Sequence, residues 1–366
     1  MKSIFDFDPD DFRVFAAENE LPKFTGTQIL KWVYGRGITN PDEMTDLSMK
    51  TREVVRNAIS FGEAVELANR HASDDTRKLL LGWPEAGKNP ALRLMKEEPQ
   101  RQTECVMIPS ESRKTACISS QVGCPVGCKF CASGLEGLEG NLTRGRIVEQ
   151  AWRLSRLPDV GRITNVVFMG MGEPLANFKA VTQSIRTLNA PWGMGISARK
   201  ITVSTVGVPS AIRRFASFDL PVTLALSLHA PNDDLRREII PWAEFSTVDD
   251  LLDACDEYFK RSGREITLEY ILLGGVNDQP EHARQLASVA SNLRANINLI
   301  RYNEVKGLPF TRPRNEDVHT FQDILKRNHL NAHIRASRGR DIEAACGQLR
   351  HERKHAPGDP SITSTC

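Results

Sequence analysis

The hydrophobic periodicity of the chain changes near residue 62 and again near residue 115. In residues 1–62, apolar side chains such as Phe12, Phe15 and Ala16 recur at three- and four-residue spacing, as they do in amphipathic helices. This pattern predicts a small helical accessory domain, which is a candidate for contact with phosphates. Residues 63–114 contain short alternating runs separated by glycine and proline, and they predict a β-rich linking extension.

From about residue 115, short β-rich runs alternate with amphipathic helical stretches. The β-rich runs are Thr115–Ser119, Thr164–Phe168, Lys200–Thr205, Val222–Leu228, Glu265–Leu273, Ile297–Tyr302 and Ala332–Ala336. The helical stretches include Arg144–Arg156, Val181–Leu188, Thr247–Lys260, Pro280–Arg294 and Glu316–Asn328. Such alternation is typical of an α/β fold with a parallel sheet, open or closed into a barrel. We predict that this core spans residues 115–349 and that residues 350–366 are a basic, polar and mobile tail.

Composition excludes several classes of protein. The chain of 366 residues is 40% hydrophobic and 26% charged, which is ordinary for a globular protein. Its apolar runs are shorter than a membrane span, and its acidic N-terminus lacks a secretion signal, so we expect a cytoplasmic protein. The net charge is only +2, but residues 312–355 hold ten basic against six acidic side chains. This segment could contact phosphates or could equally be a solvated surface.

Five of the eight cysteines lie within residues 105–131. Cys124, Cys128 and Cys131 form a C-x3-C-x2-C array after the first β-rich run. Three thiolates at this spacing can hold three corners of a [4Fe–4S] cluster and leave the fourth iron open to another ligand. The alternative is a structural zinc site with Cys105 or Cys117 as the fourth ligand. The absence of a second paired C-x2-C motif in the sequence favours the cluster.

Polar residues and glycines follow several of the predicted strands. Singly, each is more typical of a cap or turn than of a functional site. Together they lie at the carboxyl ends of parallel strands, where barrel enzymes place their active sites. These residues are the run Met169–Pro174 (which contains Gly172 and Glu173), Ser204, Ser227, Leu228, His229 and Asn303.

The cysteine array, with Phe130 before its last cysteine, resembles that of the radical S-adenosylmethionine (SAM) superfamily. The resemblance implies a partial (β/α)6 barrel in which the open iron binds SAM. The cluster of such enzymes gives SAM one electron and cleaves it to a 5′-deoxyadenosyl radical. Gly172 and Glu173 resemble the superfamily motif that meets the SAM amino group.

Two short sequence motifs indicate one family within this superfamily. Cys117–Cys124 (CISSQVGC) and Ala344–Leu349 (AACGQL) resemble the RlmN/Cfr family of radical SAM ribosomal RNA adenine methyltransferases. The resemblance runs from about residue 20 to residue 350 and includes Glu104 and Gly275–Asp278. Cys105 after Glu104 is a minor departure from the pattern.

The resemblance implies a mechanism with two essential cysteines. Cys346 would take a methyl group from one SAM, and a radical from a second SAM would activate that methyl group to attack adenine. Cys117 would resolve the covalent protein–RNA adduct, and Glu104 would accept the proton. The cofactors implied are one [4Fe–4S] cluster and two SAM per turnover. By the same resemblance SAM would be bound by Gly172, Glu173, Ser204, Ser227, Leu228, His229 and Asn303.

The resemblance also implies the substrates. The RlmN type methylates C2 of adenine 2503 of 23S rRNA, in the peptidyl transferase centre, and adenine 37 of tRNA. The alternatives are methylation of C8 as in the Cfr type, a radical SAM activase, or a zinc-binding RNA adaptor. We expect a monomer that takes electrons from a flavodoxin or ferredoxin.

Overall fold

A computed structural model describes residues 1–84 and 101–349. The predicted tail, residues 350–366, and residues 85–100 of the predicted linking extension lie outside the described residues. Within the described ranges no helix is long and apolar enough to cross a membrane.

Residues 1–60 form a helical unit closed by a short parallel strand pair. The pair joins β1 to β2, with Lys2 opposite Ile59, and so brings the two ends of the unit together. A π-helix, Lys31–Arg36, continues the second α-helix. The elements are β1 (Lys2–Ser3), β2 (Ile59–Ser60), α1 (Pro9–Glu18), α2 (Thr25–Leu30) and α3 (Met49–Ala58).

The strands of the linking extension continue the main sheet. They are β3 (Val65–His71), β4 (Arg77–Trp83) and β5 (Arg101–Pro109). They pair antiparallel with one another, and β5 pairs antiparallel with β6 (Lys114–Cys117), the first strand of the core. These residues therefore belong to the same ten-stranded sheet as the core and do not form a separate linking layer.

The core contains seven parallel strands, β6 and the six that follow a small hairpin. The strand order β14-β13-β12-β11-β10-β9-β6-β5-β4-β3 begins and ends on unpaired edges, so the barrel is open. The hairpin consists of β7 (Gln121–Gly123) and β8 (Leu138–Asn141). The remaining strands are β9 (Asn165–Phe168), β10 (Ile201–Thr205), β11 (Thr223–Ser227), β12 (Ile266–Leu272), β13 (Ala295–Arg301) and β14 (Asn331–Arg335).

Helices fill each crossover between the parallel strands, as a partial (β/α)6 barrel requires. The predicted helices are confirmed within a few residues at each end, whereas α6 and α7 were too short to recognise from periodicity. The helices are α4 (Arg144–Ser155), α5 (Phe178–Asn189), α6 (Pro209–Phe215), α7 (Asp233–Ile239), α8 (Val248–Ser262), α9 (Pro280–Ala290) and α10 (Asn315–Arg327).

The main core lies between the sheet and these helices. It is rich in branched aliphatic side chains such as Val166, Ile201 and Leu224, all fully buried. A second apolar cluster fills the N-terminal unit and includes Val148 of α4. The unit is therefore packed directly on the first helix of the barrel.

Polar contacts fix the N-terminal unit at the start of α4. The Gly145 N–H donates to the Asp6 carboxylate at 2.6 Å, and Arg144 pairs with Asp8 and Asp11 at 3.1 and 2.8 Å. A carboxylate is favoured there because the first N–H groups of a helix lack intrahelical acceptors. The Asp6 contact requires glycine, since a Cβ at position 145 would lie 2.6 Å from a carboxylate oxygen.

We predict that Gly145→Ala lowers the free energy of unfolding by about 1–3 kcal/mol, the usual cost of overpacking. In a helix without this contact, alanine is more stabilising than glycine. A decrease in the free energy of unfolding therefore indicates the contact with Asp6. The measurement is denaturant unfolding. Gly35→Ala is the control, because the nearest atom to its added Cβ lies 3.9 Å away. A Gly145→Ala protein as stable as the unaltered chain would contradict the prediction.

Candidate functional site

The three array cysteines lie on a loop that the β7–β8 hairpin closes. The Cys124 N–H donates to the Gly137 carbonyl at 3.0 Å across the base of the loop. Gly123 has a φ of 71°, and a Cβ there would lie 2.0 Å from the same carbonyl oxygen. Only glycine allows this close approach. Apolar side chains, including buried Phe130, pack around the three thiols.

A cavity at the carboxyl ends of the strands brings most of the predicted site residues together. The predicted residues that line it are Cys124, Cys128, Cys131, Gly172, Glu173, Ser204, Ser227, His229 and Cys346.

The structure does not support a zinc site built on the array. Cys105 packs in the main core, and Cys117 packs in a small cluster with Val106 and Met171. The array cysteines belong to a third cluster. A [4Fe–4S] cluster binds each of its cysteines through a different iron atom. Three cysteines on one loop that share a cavity wall therefore fit such a group.

Glu173 lines the cavity, and its carboxylate is hydrogen-bonded to the backbone. Its carboxylate accepts the N–H groups of Leu175 and Val206 at 3.0 and 2.8 Å. Burial raises the pKa of this carboxyl, although those N–H groups lower it. The preceding Gly172 is required, since its φ is 104° and a Cβ would lie 2.7 Å from atoms of Ser120 and Gln121.

His229 is held as a neutral imidazole. Its Nδ1 accepts the Ile271 N–H at 3.1 Å, which leaves the proton of the neutral ring on Nε2. Burial, with a smaller effect of Arg236, lowers the pKa of His229 to about 3. The ring packs edge-on against Phe130, with ring centroids 5.2 Å apart. A neutral donor at this wall of the cavity suits recognition of a polar group on a ligand.

Leu228 and Asn303 lie outside the cavity lining. The Leu228 side chain is fully buried in the main core. Asn303 lies beside the cavity, where its side chain donates to the Cys346 carbonyl at 3.4 Å and accepts from Arg312. Their contact with a ligand therefore stays a prediction that the described geometry does not test.

The loop that carries Cys346 is bound to the cysteine loop. The Ala132 N–H donates to the Gly347 carbonyl at 2.8 Å, and the Ser133 hydroxyl donates to the Leu349 carbonyl. This places the Cys346 thiol in the wall of the same cavity as the array. Two segments more than two hundred residues apart thus form one site.

Cys117 and Glu104 lie on one face of neighbouring strands. Cys117 ends β6 directly opposite Val106 of β5, so Glu104 lies two residues beyond the end of β6, at the same rim. Burial, and next the neighbouring Cys346, raise the pKa of the Cys117 thiol to about 12. Ala344 packs in the Cys117 cluster, so the Cys346 loop covers this face.

Three charged residues at the site were not predicted from the sequence. Lys78 of β4 pairs with Glu104 at 2.7 Å. Glu269 and Arg335 line the cavity, with the Arg335 guanidinium nitrogen 4.0 Å from a Glu269 carboxylate oxygen. The Arg335 guanidinium lowers the pKa of both the Cys117 and Cys346 thiols. The only signal for Glu269 and Arg335 was a charge inside a β-rich run, which is common on solvated strands.

We predict that His229 makes the unliganded protein lose stability on acidification. The unfolded imidazole titrates near pH 6.5 and the folded one only near pH 3, so protonation favours the unfolded chain as pH falls below about 6.5. At about pH 5 the loss is about 2 kcal/mol.

The matched variant is His229→Asn, which keeps an acceptor for the Ile271 N–H and tolerates the φ of 60° at this position. Denaturant unfolding at about pH 7.5 and about pH 5 checks the difference between the two proteins. An equal loss in both proteins would overturn the prediction, since other titrating groups are common to them.

Comparison with known proteins agrees with this site. The radical SAM superfamily profile matches residues 118–287, and that of the ribosomal RNA large subunit methyltransferase N-terminal domain matches residues 2–60. The match thus begins well before residue 20, where the sequence resemblance was expected to start.

Relatives that match over nearly their full length are named RNA methyltransferases. The chain is 41% identical to a probable dual-specificity RNA methyltransferase RlmN of Rhodopirellula baltica, over 94% of this chain and 89% of that protein. It is 40% identical to the protein of that name from Gloeobacter violaceus, over 97% of both. A radical SAM methyltransferase structure from Sphaerobacter thermophilus superposes with a TM-score of 0.89, at 36% identity, over 96% of this chain and 99% of that one. The chain therefore belongs to the RlmN family of radical SAM methyltransferases, whose chemistry implies a [4Fe–4S] cluster and SAM.

Proposed function

We propose that this enzyme methylates C2 of an adenine in RNA through a methyl group carried on Cys346. The observation that carries the proposal is the pairing of Cys346, in the cavity wall beside the cysteine array, with Cys117 beneath the same loop. Ordinary SAM-dependent transfer needs neither cysteine. A radical activase would not need them either, so this pairing favours methyl transfer over that alternative.

The chemistry explains why a protein-bound methyl group is required. Adenine C2 is an sp² carbon that does not attack the SAM methyl group at neutral pH. A carbon radical can add to it, and a methyl group held on sulfur is a source of such a radical. We propose Cys124, Cys128 and Cys131 as the ligands of the cluster, which with SAM would supply the hydrogen-abstracting radical.

The remaining steps belong to protein side chains. The Cys346 sulfur receives a methyl group from a first SAM as its thiol proton leaves. After a second SAM supplies the radical that removes one hydrogen, the methylene carbon bonds to adenine C2. The adduct radical must then pass one electron to an acceptor, a role that the oxidised cluster held by Cys124, Cys128 and Cys131 would fill, and this returns the electron consumed in making the radical. Glu104 receives the C2 proton.

Cys117 then releases the product. Its sulfur attacks the Cys346 sulfur, a disulfide forms, the carbon–sulfur bond breaks, and the methyl carbon takes up a proton. A dithiol reductant must open the disulfide before the next turnover. Arg335 favours the thiolate form of both cysteines in this exchange, because its guanidinium lowers their pKa values.

Two features support SAM and RNA as ligands. Five of the predicted SAM-binding residues line the cavity, and Asn303 beside it donates to the Cys346 carbonyl. The five are Gly172, Glu173, Ser204, Ser227 and His229. Beside Asn303 the pKa of Arg312 is lowered by burial and by neighbouring Arg340 and Arg301. Such a group of like charges at the rim favours a phosphate-rich partner.

The relatives' printed names give a dual-specificity RNA methyltransferase, and the finer assignments rest on the family resemblance of the sequence. We propose that 23S rRNA adenine 2503 and tRNA adenine 37 are the substrates, that two SAM are consumed per turnover, and that a flavodoxin or ferredoxin donates electrons. We further propose that the enzyme acts as a monomer in the cytoplasm, where these RNAs are found. Mass mapping of the methylated adenine in product RNA separates C2 from the Cfr-type C8 product, and a C8 product would refute our assignment.

We predict that Cys346→Ala abolishes RNA methylation but leaves SAM cleavage, because the radical source remains while the methyl carrier is lost. Cys117→Ala is expected to retain methyl transfer to Cys346 and to trap a covalent protein–RNA adduct. Anaerobic assays of 5′-deoxyadenosine, RNA methylation and adduct by gel mobility check both variants. Cys255→Ala, in the main core, is the control. Methylation by Cys346→Ala at the unaltered rate would refute the mechanism.

A further inference from the structure

Lys78 is a buried lysine whose ammonium group joins two parts of the site. Its Nζ lies 2.7 Å from the Glu104 carboxylate and donates to the Glu343 carbonyl at 3.0 Å. Both charged side chains are more than nine-tenths buried. Lysine is rarely buried unless it is paired, because removing its charge from water is costly. The arrangement therefore needs an explanation beyond ordinary surface pairing.

The strand register places Lys78 in line with the resolving cysteine. Lys78 of β4 is directly opposite Val106 of β5, which is directly opposite Cys117 of β6. Directly opposite residues share one face of a sheet, so all three side chains face the Cys346 loop. Glu104 is the diagonal neighbour of Lys78 on this face. The ion pair thus lies beside the two cysteines and not on the helix-covered side.

We propose that Lys78 is a positioning residue that holds the Glu104 carboxylate in the orientation needed to accept the adenine C2 proton. This inference rests on the proposed function, in which Glu104 is the proton acceptor. General-base catalysis depends on the distance and direction between the base and the proton. A cation bound to a carboxylate oxygen limits the rotation of the side chain.

The backbone around Glu104 is already fixed by separate contacts. The Ser119 hydroxyl donates to the Glu104 carbonyl at 2.6 Å, and the Glu104 N–H contacts the Met171 sulfur at 3.4 Å. Lys78 contacts the side chain of the same residue. The Glu343 carbonyl also accepts a hydrogen bond from Lys78, so the ammonium group is bound both to this carbonyl and to the Glu104 carboxylate.

The Cys346 loop has other anchors, which makes the role of Lys78 separable. The Gly339 N–H donates to Asp74 at 3.0 Å, and the Ser73 N–H donates to Asp341 at 2.8 Å. The hydrogen bond from Ala132 to the Gly347 carbonyl holds the far side of the loop. Loss of Lys78 should therefore leave methyl transfer from SAM to Cys346 intact and impair only the later proton removal.

The test compares Lys78→Met with Lys78→Arg in the cluster-loaded enzyme, on RNA carrying hydrogen or deuterium at the methylated adenine carbon. We expect Lys78→Met to slow RNA methylation roughly 100-fold, a typical contribution of a general base. We expect its deuterium isotope effect to rise, because proton removal becomes rate-limiting. Lys78→Arg keeps a cation for the carboxylate and should restore much of the rate. Methylation of Cys346, measured by protein mass, should be unchanged in both.

The outcomes distinguish this inference from the proposed function. If the unaltered enzyme leaves RNA unmethylated, the proposed function fails. If it methylates RNA and Lys78→Met has the same rate and isotope effect, the role of Lys78 is refuted. Lys114→Met is the control, since its ammonium contacts backbone carbonyls away from the cavity. Should Lys78→Met not fold, uncharged Lys78→Gln is measured instead, and an unchanged isotope effect in that variant refutes the role.

Discussion

The contact between the Cys346 loop and the rest of the rim is the constraint on which the site depends. The loop receives a hydrogen bond from Ala132 of the cysteine loop on one side and accepts from Lys78 of the strand extension on the other. The loop and these two partners come from three separate regions of the chain. If the loop moved, Cys346 would leave the cavity, and the proposed methyl carrier would lose both its radical source and its resolving partner.

Burial sets the protonation states around this loop. Removal from water raises the pKa values of the Cys117 and Cys346 thiols and of the Glu173 carboxyl, and it lowers that of His229. In each case the neutral form is favoured, as expected where the local dielectric is low. Arg335 acts in the opposite direction on the two thiols, because its guanidinium favours their charged thiolate form. The surroundings of the loop therefore favour neutral groups, and Arg335 opposes this effect at Cys117 and Cys346.

The strand extension has a larger role than its sequence indicated. Its alternating runs predicted short strands, and β4 and β5 confirm them. Their antiparallel continuation of the barrel sheet was not predicted, because pairing between strands depends on partners that local patterns do not identify. That continuation places Glu104 at the rim and puts Lys78 beside it. The N-terminal unit likewise packs on α4 through Asp6, a contact between residues 139 positions apart.

The sequence by itself determined the alternating α/β core, the cysteine array and the positions of polar residues after strands, because periodicity and short motifs are local properties. It also carried a family resemblance specific enough to single out Cys117 and Cys346. Only the tertiary structure decided that Leu228 packs in the core, that Asn303 contacts the Cys346 backbone, and that Lys78, Glu269 and Arg335 join the site. Those outcomes depend on strand register and loop closure, which bring distant residues within a few ångströms and are not encoded in the spacing of any one segment.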